Sequence, residues 1–402
     1  MNLSEKMQKK LSPIPAVYLH IPFCRTICPF CSFTVRRDQA KMHEKYIQGM
    51  LVEIDRRAEM LKDKERQENE EKLSGQILLK SIYIGGGTPS CLTIPEVSVL
   101  LTKVRENLPW SDQIEISFEM NPDDVNPEYL DGLADIGVNR LSLGGQSFQS
   151  STLHKLGRCH TVADLRNAIS VIANSSFDNW NLDLMFGIPE QGIAMFKNDV
   201  EEALRYEPSH ISLYGLEIHE RTPFGNNPQI RKWELEHLDQ FEEMYLWATD
   251  YLEKAGLFQY EISNFSKKTN EGRQNLLVWS GQEYFGFGVG AHSYHRGTRW
   301  GNVRSIRTYL QHLGQNTWPT EFIEQLSEKQ LAVEFLMLGL RQCEGINIKE
   351  WQARFGLHLQ YQQLKFVQEL CGDGRAFWEG QHLCLTPKGM LLADRITVQL
   401  MP

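Results

Sequence analysis

Three cysteines fall within eight positions near the start of the chain. They lie in the stretch YLHIPFCRTICPFCSFTV, Tyr18 to Val35, with the spacing Cys24-x3-Cys28-x2-Cys31. Thiolates in a tight run are the usual ligands of an iron–sulfur cubane. Zinc is the competing reading, but structural zinc prefers four protein ligands, commonly as two separated CxxC-like pairs, and no second pair follows. His20 could supply a fourth ligand, yet it falls inside an expected strand and reads as a buried strand histidine. Three thiolates on a four-iron cubane leave one iron open to a small chelating ligand. A substrate is the natural occupant of that place.

The elements that must position this loop recur through the first half of the chain. Six short runs rich in β-branched and aromatic residues appear: AVYLHIP (16–22), SIYIGGG (81–87), IEISFEM (114–120), RLSLGGQS (140–147), NLDLMFG (181–187) and HISLYGL (210–216). Stretches with helical periodicity separate them, among them 46–61 and 163–173. Strands alternating with helices imply parallel βαβ units, and near-continuous apolar strands suit a parallel sheet covered on its faces. Six units rather than eight predict an open, partial TIM-like (βα)6 barrel, with chemistry at the C-terminal ends of its strands. Past about residue 300 the alternation fades. Helical patterns at 327–341 and 348–371 lead to a short strand and turn, HLCLTPKG (382–389). The expected division is a barrel core over 1–300 and a small helical domain with a β-wing over 301–402. The charged segment 62–75 reads as a surface excursion.

Composition narrows the class. The chain has 402 residues and a formal net charge of −9, which argues against a broad nucleic-acid-binding surface. No apolar run is long enough to span a membrane. The N-terminal MNLSEKMQKK lacks the apolar region of a signal peptide. A reducing cytoplasm is therefore expected, where eight cysteines are not read as disulfides. Cys91, Cys159, Cys343, Cys371 and Cys384 are expected to be buried or half-buried thiols.

CxxxCxxC just after the first strand of a βα array, joined to GGGTP at 85–89, resembles the radical S-adenosylmethionine (SAM) superfamily. The resemblance implies a [4Fe-4S] cluster on Cys24, Cys28 and Cys31. Its open iron binds the amino and carboxylate groups of SAM, and a reduced cluster cleaves SAM to a 5′-deoxyadenosyl radical. YLHIPFC, YIGGGTPS, SFEMNPDD, RLSLGGQSF, LGRCHT, NLDLMFGIPEQ, HISLYGLEI, YEISNF and FGFGVGAHSY together resemble the HemN/HemW branch. By motif, Tyr18 and Phe30 match positions flanking the sulfonium and adenine. Gly86, Gly87 and Thr88 match the glycine-rich SAM contact. Glu119 matches an acidic position near the ribose and amino groups, and Gln146, Arg158 and Asp183 match further polar SAM positions. Read without the family, Arg158 is a surface cation and Asp183 a helix cap. A side chain at Gly87 is expected to spare the cluster and remove the response to SAM.

That branch holds oxygen-independent coproporphyrinogen III dehydrogenases and HemW-type heme chaperones. The dehydrogenases carry a fourth cysteine two places after the third; here that position is Phe33. The stretch before the first strand is also shorter than theirs. Both features favour the chaperone side, with heme or porphyrin as ligand, an electron donor, and a respiratory protein as acceptor. Oxidative decarboxylation of coproporphyrinogen III is the second reading, and a divergent paralogue or a cluster-free scaffold a third. One motif departs from the family. HNxxYW is replaced by Gln274-Asn275-Leu276-Leu277-Val278-Trp279, and Gln cannot offer an imidazole to heme iron. His292 or His295 in GAHSYH, or a cysteine, would then have to serve. His292 is the first candidate, on a loop expected to reach towards the SAM site. Cys28-Pro29 resembles a heme-responsive dipeptide, but Cys28 is needed by the cluster.

Overall fold

The structure is a computed structural model that describes residues 15–67 and 78–402. The N-terminal MNLSEKMQKK and most of the charged segment 62–75 lie outside the described residues; 62–67 continue the helix His43–Gln67.

Seventeen strands are described. They begin with β1 (Ala16–Ile21), the short β2 (Phe23–Cys24) and β3 (Arg36–Arg37), and β4 (Leu79–Gly86). β5 (Trp110–Met120), β6 (Arg140–Gln146), β7 (Trp180–Phe186) and β8 (His210–Gly215) complete the barrel set. β9 (Phe258–Glu261), β10 (Asn264–Ser266), β11 (Tyr284–Phe287), β12 (His292–His295), β13 (Thr298–Asn302) and β14 (Thr320–Gln325) follow. The last are β15 (Ile346–Asn347), β16 (Ala376–Glu379) and β17 (His382–Leu385).

All six apolar runs form strands, and β1, β4, β5, β6, β7 and β8 pair in parallel in that order. Their centres are buried on both faces, as in β1, where Val17, Leu19 and Ile21 on one face have no exposure and Ala16 and His20 on the other are also buried. Helices His43–Gln67, Ile94–Asn107 and Val162–Ala173 cover the outside. The second and third of these start at capping boxes, Thr93 with Glu96 and Thr161 with Asp164. The sheet remains open, with edges at β14 and β9.

The sheet is wider than the periodicity implied. β11 adds to β1 in parallel, and β12, β13 and β14 continue antiparallel. At the other edge β10 and β9 add antiparallel to β8. These strands are three to six residues long, too short for an alternation to register. A second apolar core holds the C-terminal region around the fully buried Trp351, whose indole N–H donates to Ala332 O at 3.0 Å. Its strands order β15-β17-β16, a small wing beside helices such as Glu328–Gly339 and Tyr361–Gly372. Backbone bonds from Ile262 N to Arg341 O (2.9 Å) and from Cys343 N to Tyr260 O (3.0 Å) tie this unit to the barrel.

One buried carboxylate knits the edge strands to the helical cover. Glu53 accepts from Gly288 N at 2.9 Å, Asn302 Nδ2 at 2.7 Å and Tyr309 Oη at 2.7 Å, with no solvent exposure. Burial raises its pKa and the three donors oppose the rise. Glu53→Ala orphans buried donors from three elements and should cost about 3–5 kcal/mol, while Glu53→Gln should cost less. Urea unfolding of the two variants against wild type measures the difference; equal stabilities would show that these bonds do not hold the sheet edge.

Candidate functional site

The cysteine loop is anchored by backbone before any side chain is considered. β2 pairs in parallel with β3, and Asp38 N donates to Cys24 O at 2.8 Å, which closes the loop at its base. On the other side β4 runs into it. Gly87 N donates to Ile21 O and Thr88 N to Phe23 O, each at 2.7 Å. Two chains this close leave no room for a side chain. A Cβ on Gly87 would lie 2.7 Å from Phe23 O and 2.8 Å from Cys24 Sγ, and one on Gly86, at φ +118°, 2.6 Å from the His20 ring. The expectation that a Gly87 side chain spares the cluster is therefore corrected: it would strike the cysteine itself.

Two of the sulfurs meet a donor suited to a thiolate. The Thr88 hydroxyl donates to Cys24 Sγ at 3.6 Å, and Arg158 Nη1 lies 3.7 Å from Cys28 Sγ. Burial pushes the Cys24 thiol up to about 11, Thr88 opposes this, and Cys31 and Cys28 add to the rise. Among the described residues no three His, Cys, Asp or Glu side chains gather as ligands of a single metal ion would. A cubane takes one thiolate at each of three corners and needs no such common point. Arg158 is no surface cation. Its Nη2 donates to Asn121 Oδ1 at 2.5 Å and Gly144 O at 2.9 Å, and its buried Nε has no partner. These features fit a cluster of anionic character held by Cys24, Cys28 and Cys31.

Beside the loop the strand ends form an acidic wall. Glu119 accepts from Tyr83 Oη at 2.7 Å and Gly86 N at 3.0 Å. Burial lifts its pKa to about 7, and Asp183 adds to the rise. Asp183 is itself raised, chiefly by burial. It sits mid-strand, accepting from Asn181 Nδ2 at 2.7 Å and Ser142 Oγ at 3.4 Å, so it is not a helix cap. Gln146 ends β6 at φ +68°, a strained value for a non-glycine residue, where the β6–β7 register shifts. Tyr18 stacks on Tyr83 at 6.2 Å and donates to His20 Nδ1 at 3.0 Å. His20 Nε2 donates to Thr34 O at 2.7 Å, so this histidine braces the loop's far end and burial lowers its pKa to about 4. The bland reading of His20 as a strand histidine holds.

A cavity of about 750 Å³ opens from this wall. Tyr18, Gly86, Glu119, Gln274, Trp279 and, from the C-terminal unit, Met390 line it. Phe33, 67% exposed, stands at its edge. Phe30 packs against Phe224, with ring centroids 6.2 Å apart, and does not line this cavity. Gln274 is buried with its Oε1 unpartnered, and its backbone N–H donates to Glu115 at 3.4 Å.

The alternative imidazoles lie elsewhere. His295 Nδ1 is held by Glu283 Oε2 at 2.5 Å, and His292 is exposed on β12, its ring 5.4 Å from Phe322. Neither lines the cavity, which corrects the expectation that His292 reaches towards the SAM site. The preceding turn does support the cysteine loop: Gly290 packs on Thr34. Cys159 is exposed rather than buried, donating to Asp123 Oδ2 at 2.8 Å. Sequence reasoning passed over Asn121, which joins Arg158 to Thr88 through its bond to Thr88 Oγ1 at 3.1 Å. It lies within SFEMNPDD, so the signal was present.

Two outcomes follow from this geometry. Gly87→Ala should lower the iron retained after anaerobic reconstitution, in step with Cys24→Ala; full iron content would show that the loop yields to a methyl group. Glu119 is raised above its ordinary pKa, so its contribution to stability is full below about pH 4.5 and is lost as pH rises through about 7. Between those limits cluster-free wild type should lose about 2–3 kcal/mol relative to Glu119→Gln, at about 1.4 kcal/mol per unit. Parallel urea–pH curves for the two proteins would contradict this.

The radical SAM superfamily model matches residues 18–203, and the HemN C-terminal domain model matches 326–392. The chain is 34% identical over 382 residues to the heme chaperone HemW of Bacillus subtilis, spanning 95% of this chain and 97% of that protein. It is also 34% identical over 284 residues to the heme chaperone HemW of Escherichia coli, 70% of each chain. The solved coproporphyrinogen III oxidase HemN of Escherichia coli superposes with a TM-score of 0.78 at 19% identity, over 99% of this chain and 92% of that one, which establishes a shared fold. The superfamily implies a [4Fe-4S] cluster and SAM, and the near full-length identity places this chain in the HemW family of radical SAM proteins.

Proposed function

We propose that the chain is a heme chaperone: a [4Fe-4S], SAM-binding protein that holds heme and delivers it to an acceptor protein. The observation that carries the reading is the cavity of about 750 Å³ lined by Tyr18, Glu119 and Gly86; Gly86 stands two residues before Thr88, which bonds Cys24. Its volume lies in the range of small-molecule sites, and its aromatic walls offer a planar tetrapyrrole stacking surface. The relatives carry the name heme chaperone.

In this reading Cys24, Cys28 and Cys31 hold the cluster, and Gly86, Gly87 and Thr88 present backbone to the SAM amino group. Glu119 and Asp183 offer carboxylates to its amino and hydroxyl groups. Gln146 and Arg158 line the same seat, with Tyr18 and Phe30 flanking the sulfonium and adenine. When bound, cluster and SAM supply one-electron chemistry. Phe33 occupies the position of the dehydrogenases' fourth cysteine with a side chain that can neither ligate nor donate, which sets decarboxylation second.

The test combines iron and heme. Anaerobic reconstitution should give about four irons per chain. Cys24→Ala, Cys28→Ala and Cys31→Ala should each lose them, while Cys343→Ala, in the C-terminal unit, should not. Heme titration should give a saturable Soret change, and heme-loaded protein should transfer heme to an apo-cytochrome. Full iron in Cys28→Ala overturns the cluster assignment, and wild type that binds no heme overturns the chaperone reading.

A further inference from the structure

The cysteine loop carries a charge opposite to that of the whole chain. Residues 25–42 hold Arg25, Arg36, Arg37 and Lys41 against one carboxylate, Asp38, in a chain of net charge −9. Asp38 is turned to the His43 ring at 2.6 Å, and Arg25 is paired with Asp124. Arg36, Arg37 and Lys41 are exposed, and among the described residues none of them forms an ion pair or a side-chain hydrogen bond. Arg304, also exposed, adds a cation from the segment after β13. Its Nη2 donates to Ser32 O at 2.8 Å and its Nε to Thr34 Oγ1 at 3.0 Å.

These cations stand close to the cluster ligands. Arg36 and Arg37 form β3, and Arg37 is the register partner of Cys24 on β2. Neighbouring strands lie about 4.8 Å apart, so the first cysteine is one strand in from an exposed arginine. The backbone between them is continuous: Arg36 N donates to Pro22 O at 2.6 Å and Asp38 N to Cys24 O at 2.8 Å. Cys28 and Cys31 are only half-buried. Between Arg25 and Arg36 in the chain, the loop also exposes two large apolar side chains, Ile27 by 48% and Phe33 by 67%. Exposed apolar groups accompanied by arginine are the composition of a protein-binding surface.

The charge selects the partner. A cluster on Cys24, Cys28 and Cys31 takes part in one-electron chemistry only after an electron has reached it, and a carrier that delivers one must approach this loop. Unpaired cations on a net acidic protein attract an acidic surface to that face and leave the rest of the molecule repelling it. A basic carrier would be drawn elsewhere.

We propose that the exposed side of the cysteine loop docks a small one-electron carrier protein with an acidic surface, and that Arg36 and Arg37 steer it there. One electron leaves the carrier, which is oxidised, and reduces the cluster; no atom or proton is transferred. The proposal rests on the cluster part of the reading above and is independent of heme.

The experiment follows cluster reduction in anaerobically reconstituted full-length protein by stopped-flow absorbance, with two donors of opposite charge. Reduced plant-type ferredoxin is the acidic protein, and reduced methyl viologen the small cation. At low salt Arg36→Glu/Arg37→Glu should react with ferredoxin about tenfold or more slowly than wild type, and with the viologen as fast or faster. The ferredoxin gap should close near about 1 M salt, where charges are screened beyond about 3 Å. Surface plasmon resonance against immobilised oxidised ferredoxin should show a matching loss of affinity. Arg36→Gln/Arg37→Gln should fall between, and Lys329→Glu, an exposed cation on the helix Glu328–Gly339, should match wild type. Equal ferredoxin rates and affinities in wild type and both double variants would overturn the docking role. So would a loss of rate with both donors in the Gln pair, which would assign the arginines to the loop's architecture. Phosphatidylserine vesicles that bind wild type and not the Glu pair, with ferredoxin rates unchanged, would assign the patch to a lipid surface and overturn it as well. Wild type that retains no iron would overturn the cluster reading and this proposal together.

Discussion

The site depends on one close approach of backbone to backbone. Residues 21–24 and 86–88 exchange hydrogen bonds at 2.7 Å, which places the first cysteine directly against the end of the second parallel strand. The contact exists because position 87 carries no side chain and position 86 adopts a left-handed φ. Everything nearby is hung from it. Thr88 turns its hydroxyl to Cys24, Asn121 takes Thr88 and hands the connection to Arg158, and Arg158 reaches Cys28. The loop thus has hydrogen-bonded links to β4, β5 and the segment after β6, rather than to its own flanks alone.

The same arrangement separates two kinds of electrostatics over a short distance. Two of the sulfurs face hydroxyl and guanidinium donors, which favour thiolates. The adjoining interior holds Glu119, Asp183 and Tyr83, groups that burial pushes towards their neutral forms. A cationic ligand entering there would pay for its own desolvation by restoring charge to those carboxylates. An apolar interior would offer no such exchange.

Much of this was legible in the sequence because it is periodic or compositional. The six apolar runs became the six parallel strands, since continuous β-branched stretches with glycine ends have few other stable homes. The three cysteines could be picked out by type and spacing, and Gly87, Glu119 and Arg158 by the resemblance of their motifs to the family. Their reasons could not. Gly87 reads as room for a ligand, whereas the geometry shows its first obligation is to Phe23 O and Cys24 Sγ. Asn121 lies inside the motif SFEMNPDD, but only the fold brings it between Thr88 and Arg158. The strands β9 to β14 are three to six residues long, too short for an alternation to announce them, although β9 pairs with β10 and β12 with β13 as near neighbours. His292 and Cys159 failed for a related reason: burial and direction are tertiary properties, invisible in a motif such as GAHSY or LGRCHT.

The C-terminal unit is part of the site rather than an appendage. Met390 and Asp394 help close the large cavity, and the Tyr245 hydroxyl bridges Ile262 O at 2.8 Å and Met390 Sδ at 3.8 Å across the junction. Glu261, raised by burial to about 7, faces the same cavity and accepts from Asn264 within the β9–β10 turn. Gln342 reaches back to Trp279 O at 3.0 Å, so the tryptophan retained from the altered motif is gripped from both units. A ligand stacked on Trp279 would therefore report on the docking of the two cores. Moving the C-terminal unit would open the large cavity, since Met390 and Asp394 line it. Release of cargo needs such a movement somewhere, and the few backbone bonds between Tyr260–Ile262 and Arg341–Cys343 are the contacts it would have to break.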